Sequence, residues 1–343
     1  MSLIIGWDVG GAHLKAALVE DGRLAKVVQL PCELWRGMDR LEIALDQATA
    51  RLGHAQYHAI TTTGELVDYF PNRLEGVDRI VTAMARRLGG QHLVFYAGPR
   101  GFVTAERELT FAEDIASANW HATAALIANH LPDALLIDLG STTTDIVPIR
   151  GGSVAARGFN DHDRLVAGEL VYMGLTRTPI ASIADRVPFR GSWATLMNEY
   201  FATIADVWRV LDALPSDLDQ HATADNRPKD REASIGRLAR MVGLDAADAN
   251  DSDWLALASW LAEIEMRRIE DGLHLVQSAC GLPLDAPVIA AGAGRFVVER
   301  IAARQGRRSI DFASLIGGTG ETGRWASTCA PAVAVALLLS ASR

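Results

Sequence analysis

The fold is decided by the stretch Ile5-Gly6-Trp7-Asp8-Val9-Gly10-Gly11-Ala12-His13-Leu14-Lys15, an apolar run that ends in an acid and a glycine turn before a second apolar run begins. The pattern returns without a gap, at a constant offset of 130 residues, in Leu135-Leu136-Ile137-Asp138-Leu139-Gly140-Ser141-Thr142-Thr143-Thr144-Asp145. Each copy predicts two antiparallel strands joined by a tight turn. Because the offset is close to one domain length, the repeat predicts two similar domains that face each other.

The turns of the two predicted hairpins have the chemistry of an anion-binding site. A tight turn exposes successive backbone N–H groups, and small residues let the chain approach an anion closely. Two such hairpins across a cleft would hold a di- or triphosphate from both sides, with a hydrated Mg²⁺ on Asp8 and Asp138. The competing interpretation is a pair of structural hairpins whose Asp side chains cap their turns. The predicted phosphate contacts are Gly10, Gly11, His13, Gly140, Ser141, Thr142 and Thr143.

A third glycine turn follows the predicted strand 287–291. Gly292 and Gly294 stand between this strand and a predicted helix, and a helix N-terminus in such a place can contact a nucleotide or a phosphate. Many strand-to-helix turns need glycine for their geometry alone, so this turn by itself does not establish a site.

Composition limits the function classes. The chain has 343 residues with 33 Lys or Arg and 42 Asp or Glu, and its net charge of −9 argues against nucleic acid or an anionic membrane as a partner. Lys15, Lys26 and Lys229 are the only lysines, and the first lies inside the repeated stretch. No apolar run reaches 18 residues, no secretory signal is visible, and the three cysteines lie far apart. We therefore expect a cytoplasmic protein without a disulfide framework.

Apolar runs alternate with stretches of helical periodicity, which predicts an α/β protein. The polar segment 215–232 is either an exposed linker or a functional loop. The predicted strands are 3–8, 14–19, 26–30, 58–62, 93–97, 134–139, 145–149, 153–157 and 287–291. The predicted helices are 39–52, 75–88, 119–131, 193–213, 230–242, 253–280, 294–305 and 327–341.

The order of the three glycine turns resembles that of the sugar kinase/Hsp70/actin superfamily. The resemblance spans nearly the whole chain and implies two facing actin-like ATPase (ribonuclease H-like) domains with a phosphate-binding cleft between them. It implies a first domain over residues 1–131 and a second over 132–343 that contains a helical insertion around 165–285. The C-terminal helix 327–341 is expected to pack back on the first domain.

Further segments carry a narrower resemblance to the hydantoinase/oxoprolinase-like family associated with tetrahydromethanopterin-linked C1 transfer. The sequence departs from the family at His13, where Asn is more common, and at Gly64, where Ala is more common. Besides the two hairpin turns, the segments are Thr62-Thr63-Gly64-Glu65-Leu66-Val67-Asp68, Ala118-Asn119-Trp120-His121-Ala122-Thr123, Thr176-Arg177-Thr178-Pro179, and Lys229-Asp230 with the helix that contains Arg237-Leu238-Ala239-Arg240.

This resemblance implies a transferase of methanofuran biosynthesis. The family enzyme joins an aminomethylfuran-methanol diphosphate to the phenol oxygen of a γ-glutamyl tyramine, and diphosphate leaves as an aryl ether forms. For this Arg-rich chain the resemblance suggests a methylofuran-like product, with tyrosine, tyramine or a γ-glutamyl derivative as the phenol. ATP is a less favoured ligand of the cleft, and the predicted helix 253–280 offers a face for a homo-oligomer.

Several residues receive candidate roles, each with a structural alternative. Lys15 would pair with phosphate oxygens, or face solvent on its strand. Asp145 would hold the metal or accept the phenol proton, or else pair with Lys15 or cap a strand end. Glu65 would contact the substrate amine or the phenol proton, or cap the preceding turn. The predicted substrate contacts are Thr63, Asp68, Asn119, Trp120, Asp163, Arg164, Arg177 and Lys229, for several of which a surface or core role is the alternative.

Two other functions fit the same sequence. The first is an ATP-dependent small-molecule kinase or amidohydrolase of the same fold, which would bind nucleotide. The second is a non-catalytic binding module, against which the intact acids and glycines of both hairpins argue.

Overall fold

The computed structural model of the protein describes residues 2–89, 92–105 and 108–343. Its strands are β1 (Leu3–Val9), β2 (His13–Glu20), β3 (Arg23–Pro31), β4 (Tyr57–Thr62), β5 (His92–Tyr96), β6 (Phe102–Thr104), β7 (Ala134–Leu139), β8 (Thr144–Arg150), β9 (Ser153–Val154), β10 (Leu170–Val171), β11 (Arg186–Phe189), β12 (Ser192–Thr195), β13 (Val288–Ala291) and β14 (Ser309–Asp311). Its helices are α1 (Asp39–Leu52), α2 (Arg73–Arg87), α3 (Glu108–Ile115), α4 (Asn119–Ala128), α5 (Asp161–Ala167), α6 (Ile204–Val210), α7 (Arg231–Met241), α8 (Asp251–Cys280), α9 (Arg295–Arg304), α10 (Phe312–Leu315), α11 (Gly320–Thr328) and α12 (Ala330–Ala341).

Two sheets share one topology. The first has the strand order β3-β2-β1-β4-β5-β6, and the second has the order β10-β8-β7-β13-β14 with β9 beside β8. In each sheet the first strand of the hairpin pairs antiparallel with the second and parallel with a later strand, β4 or β13. β7 and most of β1 are buried, as expected for strands covered on both faces. The predicted α/β architecture is confirmed.

The two hairpins also agree residue by residue. Asp8 pairs with Lys15 in the register of β1 and β2, and Asp138 pairs with Asp145 in the register of β7 and β8. In both turns the glycine two residues after the acid donates its N–H to the carbonyl three residues further on, at 3.0 Å in the first hairpin and 2.9 Å in the second. The internal repeat in the sequence is therefore a repeat in the backbone.

Two apolar helices fill the space between the sheets. α12 packs on β1, β2 and β4, whereas α4 packs on β7, β8 and β9. The helices also contact each other, and they share one buried apolar cluster with both sheets. Gly6 permits this approach, because a Cβ there would lie 2.0 Å from the carbonyl oxygen of Ala332.

The helix predicted over 327–341 is confirmed over 330–341 as α12, and a separate helix, α11, ends at the start of the predicted range. α11 ends at Thr328 and α12 begins at Ala330, with an angle of 101° between them. Pro331, at the start of α12, cannot donate to the preceding turn and so prevents a continuous helix. Within the described ranges no single helix is long and apolar enough to cross a membrane, and only this bent pair passes that test when joined.

The predicted helix 193–213 is wrong over most of its length. Arg190 and Gly191 both have positive φ, which is the turn of a two-residue hairpin, and β12 follows as an antiparallel partner of β11. The helix in this region is only α6, which starts after a capping box at Thr203 and is followed by Asp212 with a φ of 53°. The β-strand predicted over 153–157 is likewise limited to the two residues of β9.

Candidate active site

The tips of both hairpins line the same cavity, which has a volume of about 560 Å³. Gly11 and Ala12 come from the first hairpin (β1–β2), and Thr142 and Thr143 come from the second (β7–β8). Gly11 is held close to the next segment, since a Cβ there would lie 2.7 Å from the Val67 side chain. Small turn residues of one sheet and two threonines of the other thus border one space, as expected for an anion site.

Lys15 forms the ion pair of the first hairpin. Its Nζ lies 3.3 Å from Oδ2 of Asp8, and the carboxylate is almost fully buried. Burial disfavours the charge on Lys15, but the attraction of Asp8, together with Cys329 and Asp138, raises the pKa of the ammonium overall. Burial also raises the pKa of Asp138 to about 7, against the opposing effect of Lys15. The ammonium is therefore a fixed positive charge that is paired with Asp8 and favoured by the nearby Asp138.

The second hairpin obtains its cation from elsewhere in the chain. Arg164 of α5 donates to Oδ1 of Asp145 at 2.9 Å and to the Glu169 carbonyl at 2.8 Å. The guanidinium also lies 4.0 Å from the ring centroid of Trp120. Burial raises the pKa of Asp145 and Arg164 lowers it, with burial the larger effect. The alternative pairing of Asp145 with Lys15 is thus not the one that forms.

Arg177 brings a further positive charge to the second hairpin. Its backbone N–H donates to the Ser141 carbonyl at 2.9 Å, and its Nη1 donates to the Thr142 hydroxyl at 3.3 Å. The guanidinium stacks 4.7 Å from the ring centroid of Trp35. Within the described ranges Arg177 forms no ion pair with a carboxylate, so its charge is available to an anion in the cavity.

His13 is buried in the first hairpin and packs edge-on against His221, with 4.5 Å between the ring centroids. Burial is the main cause that lowers the pKa of His13 well below its ordinary value, and His221, Lys15 and Arg177 lower it further, so the ring is neutral. Its Nε2 has no hydrogen-bond partner among the described residues. His221 belongs to the polar segment 215–232, so this segment is a loop that reaches the first hairpin and not an exposed linker.

Glu65 lies behind the cavity wall. Its Oε1 accepts a hydrogen bond from Ser117 at 2.8 Å, and its Oε2 accepts one from Thr62 at 3.0 Å. The Ser117 hydroxyl also lies 3.4 Å from Oδ2 of Asp161, which Arg73 holds in an ion pair. Burial raises the pKa of Glu65, and Asp161 raises it further.

Known proteins resemble this chain over nearly its whole length. A sequence model described as hydantoinase/oxoprolinase matches residues 56–340. The chain belongs to the hydantoinase/oxoprolinase family. This confirms the family resemblance of its motifs.

Two curated relatives in this family carry one name. The (4-{4-[2-(gamma-L-glutamylamino)ethyl]phenoxymethyl}furan-2-yl)methanamine synthase of Methanocaldococcus jannaschii is 30% identical over 338 residues, which cover 98% of this chain and 97% of that protein. The synthase of the same name from Methanococcus vannielii is 28% identical over 208 residues, which cover 60% of this chain and 90% of that protein. The prediction of an enzyme, and of a transferase, is confirmed by these relatives.

Solved structures confirm the actin-like ATPase fold. A nucleotide-free acetone carboxylase superimposes with a TM-score of 0.55 at 10% identity, covering 98% of this chain and 70% of that chain. The activator of the 2-hydroxyisocaproyl-CoA dehydratase from Clostridium difficile, with bound ADPNP, superimposes with a TM-score of 0.50 at 10% identity, covering 99% of this chain and 95% of that chain.

The structure gathers many of the predicted site residues of this family member at the cavity. Asp8, Lys15 and Asp138 lie outside its lining, at the strand ends below the turns, and Glu65 lies behind the lining. The predicted site residues that line the cavity are Gly11, Thr63, Asp68, Asn119, Trp120, Thr142, Thr143, Asp145, Arg164 and Arg177.

Eight other predicted contacts lie away from the cavity lining. Four of them belong to the two hairpins whose tips border the cavity, namely Gly10, His13, Gly140 and Ser141. The other four lie elsewhere in the fold. Gly292 and Gly294 allow the start of α9 to pack on Leu139, since a Cβ at either would overlap that residue. Asp163 bonds to Asn160 at the exposed start of α5. Lys229 borders a separate depression, where its ammonium donates to the Asp219 carbonyl at 2.8 Å.

Sequence reasoning missed Ser117, Asp161, Trp35 and Tyr172, all of which line the cavity. One signal was available for Asp161. It stands three residues before Arg164 in a helical segment, so both side chains lie on one face of α5. No local pattern marks Ser117, because its importance comes from contacts with residues far away in the chain.

Proposed function

We propose that this enzyme joins an aminomethylfuran-methanol diphosphate to a phenol, which forms an aryl ether and releases diphosphate, in the biosynthesis of a methanofuran or methylofuran cofactor. The observation that carries the proposal is that both hairpin tips border one cavity. The names of the relatives, which contain a phenoxymethyl-furan unit, support this class of donor and acceptor. The phenol would come from tyrosine, tyramine or a γ-glutamyl tyramine.

The charges around the cavity suit a diphosphate leaving group. Departure of diphosphate from a furfuryl carbon leaves positive charge in the furan ring and negative charge on the phosphates, and donors aimed at the phosphates lower that barrier. The turn amides, Arg177 and the Thr142 and Thr143 hydroxyls would bind the phosphates, with Lys15 as a fixed charge below them. A net charge of −9 agrees with this site, because its positive charge is local.

Aromatic side chains would position the two rings. Trp120 is almost fully buried and lines the cavity, and Arg164 already covers a face of its indole at 4.0 Å from the ring centroid. A substrate ring would therefore contact the remaining exposed part of Trp120, and not stack on the face that Arg164 holds. Asp68, Thr63 and Asn119 also line the cavity and supply polar contacts for an aminomethyl group.

The two acids at the hairpin ends fit a hydrated Mg²⁺. Oδ1 of Asp8 is buried without a hydrogen-bond partner among the described residues. Asp138 is also almost fully buried, and burial together with the nearby Asp145 and Asp8 carboxylates raises its pKa. Two carboxylates suffice for an ion that takes its other ligands from phosphate and water. No described group of three or more His, Cys, Asp or Glu side chains forms a site made from protein ligands alone. When bound, the ion would neutralise the diphosphate.

The experiment supplies a furfuryl diphosphate with tyrosine, tyramine or γ-glutamyl tyramine and searches for the ether by mass spectrometry. We expect an ether with one of these phenols and release of diphosphate in the same reaction. ATP hydrolysis without an ether, together with a larger thermal shift from ATP than from inorganic diphosphate, would identify a kinase or amidohydrolase instead.

A further inference from the structure

We propose that the phenol proton leaves the cavity through the hydroxyl of Ser117 and is received by Glu65 in the protein interior. This inference rests on the proposed ether synthesis and adds the path of the proton. Ser117 lines the cavity and Glu65 does not, yet their oxygens are 2.8 Å apart. The hydroxyl therefore connects the space where the phenol would lie with a carboxylate that the phenol cannot touch.

The hydrogen bonds around Glu65 accommodate both of its protonation states. When Glu65 is ionised, the hydroxyls of Ser117 and Thr62 both donate to it. When Glu65 is protonated, either hydroxyl can turn to another acceptor, because Thr62 lies 3.1 Å from the Val9 carbonyl and Ser117 lies 3.4 Å from Oδ2 of Asp161. A proton can thus arrive at Glu65 without leaving a buried polar atom unpaired, which would be unfavourable in the protein interior.

The backbone holds the hydroxyl in place. Ser117 has a φ of 53°, a backbone conformation that residues other than glycine rarely adopt. Glu65 is equally constrained, since a Cβ on Gly76 of α2 would lie 2.6 Å from the Glu65 carbonyl oxygen. Strained backbone positions persist where the surroundings determine them, and they cluster at functional sites.

The charges that face Glu65 make it an effective proton acceptor. Burial is the main cause of its raised pKa, the two hydroxyl bonds oppose that effect, and the Asp161 carboxylate adds to it. Asp161 in turn forms an ion pair with Arg73. A carboxylate with a raised pKa takes a proton from phenol more readily than an exposed one.

The proposed step balances in atoms and electrons. The phenol oxygen forms the bond to the furfuryl carbon, and the carbon–oxygen bond to diphosphate breaks with its electron pair on the leaving group. The phenol proton passes to Oγ of Ser117 as the proton of that hydroxyl passes to Oε1 of Glu65. Glu65 returns the proton to water through the same hydroxyl once the products leave.

The test compares two phenols in Glu65→Gln and Ser117→Gly. Glycine suits the positive φ at position 117, so this variant removes the hydroxyl without straining the backbone. With tyramine or its γ-glutamyl derivative, we expect kcat to fall about 100-fold in both variants and to lose its rise with pH. With a polyfluorinated phenol that is already ionised at the assay pH, both variants should work within about 3-fold of the wild type.

Glu265→Gln is the matched control, because Glu265 of α8 is a fully buried acid with a pKa raised by burial, and it accepts a hydrogen bond from Trp208 of α6. It should leave the ratio between the two phenols unchanged. Equal losses with both phenols in Ser117→Gly would overturn the proton path while leaving ether synthesis intact. A wild-type enzyme that forms no ether with either phenol would overturn the proposed function itself.

Discussion

The first and second hairpins share a backbone and differ in the origin of their positive charge. Lys15 and Asp8 pair across neighbouring strands, so the first hairpin carries its own cation. The equivalent position in the second hairpin is Asp145, whose cation is Arg164 on α5. The two hairpins thus differ in one respect: the ion pair of the first is formed within the hairpin, whereas that of the second depends on α5. In the proposed complex the phosphates would meet the Lys15 ammonium on the side of the first hairpin and the Arg177 guanidinium beside Thr142 of the second.

Removing the cation of the first hairpin should have the largest effect. In Lys15→Met we expect ether formation to fall about 10²–10³-fold, because a fixed charge near the leaving group is lost. The free energy of unfolding should fall by about 3–5 kcal/mol, because Asp8 stays buried without a counter-charge. Product assays and urea denaturation measure the two effects. Lys26→Met, on the exposed part of β3, is the control and should change activity less than about 2-fold.

The double variant Asp8→Asn/Lys15→Met separates stability from catalysis. It removes both charges, so most of the lost stability should return while activity stays low. Wild-type turnover in the single Lys15→Met variant would contradict a role of this hairpin in holding the leaving group.

The ion pair between Arg164 and Asp145 of the second hairpin should also stabilise the fold, although its two residues lie further apart in the chain. We expect Arg164→Met to lower the free energy of unfolding by about 3 kcal/mol, because the buried Asp145 carboxylate loses its counter-charge. Asp145→Asn in the same chain should offset part of that loss. A double-mutant cycle by denaturation measures the coupling, and strictly additive effects would show that the pair contributes nothing.

Asp138 should give the folded protein a pH dependence. Its pKa is raised from 3.8 to about 7, so between these values the folded chain holds a proton that the unfolded chain has lost. Stability therefore falls as the pH rises through this interval, by roughly 2–4 kcal/mol, and is level above about pH 7. Asp138→Asn should remove this decline in denaturation midpoints measured from pH 4 to 8. Parallel profiles for the variant and the wild type would exclude Asp138 as its source.

The smallest difference between the two hairpins should be the stability cost of replacing their equivalent turn glycines, Gly10 and Gly140. A Cβ on Gly10 would lie 2.9 Å from the His13 carbonyl, whereas a Cβ on Gly140 would lie 3.3 Å from the Thr143 carbonyl. Gly10→Ala should therefore cost about 1–3 kcal/mol of stability and Gly140→Ala less than about 1 kcal/mol. Thermal denaturation compares the two variants, and a larger loss in Gly140→Ala would contradict the closer backbone approach at Gly10.

The same comparison explains how far the sequence alone could lead. Asp8, its glycine turn and Lys15 lie within eight consecutive residues, so their hairpin and ion pair follow from local chemistry. The pairing of Asp145 with Arg164 depends on a helix 19 residues away, and the contact of Ser117 with Glu65 joins positions 52 residues apart. Such contacts depend on tertiary packing, for which a single sequence has no periodic signal.

Local signals also explain the errors in secondary structure. The helical periodicity of 193–213 competes with the Arg190-Gly191 turn, and the turn prevails because β12 gains a paired strand in β11. In the C-terminal region the apolar composition correctly predicts a buried helix. Composition carries no signal for the break between α11 and α12, which lies just before Pro331. Composition thus indicated where the core lies, and backbone chemistry determined where elements end.

Calorimetric titration with inorganic diphosphate and Mg²⁺ tests the central claim, that the two hairpins hold a diphosphate between them. The account predicts one diphosphate bound per chain, weaker binding in both Lys15→Met and Arg177→Met, and weaker binding of ATP than of diphosphate. Binding that neither substitution changes, or that is tighter for ATP, would contradict it.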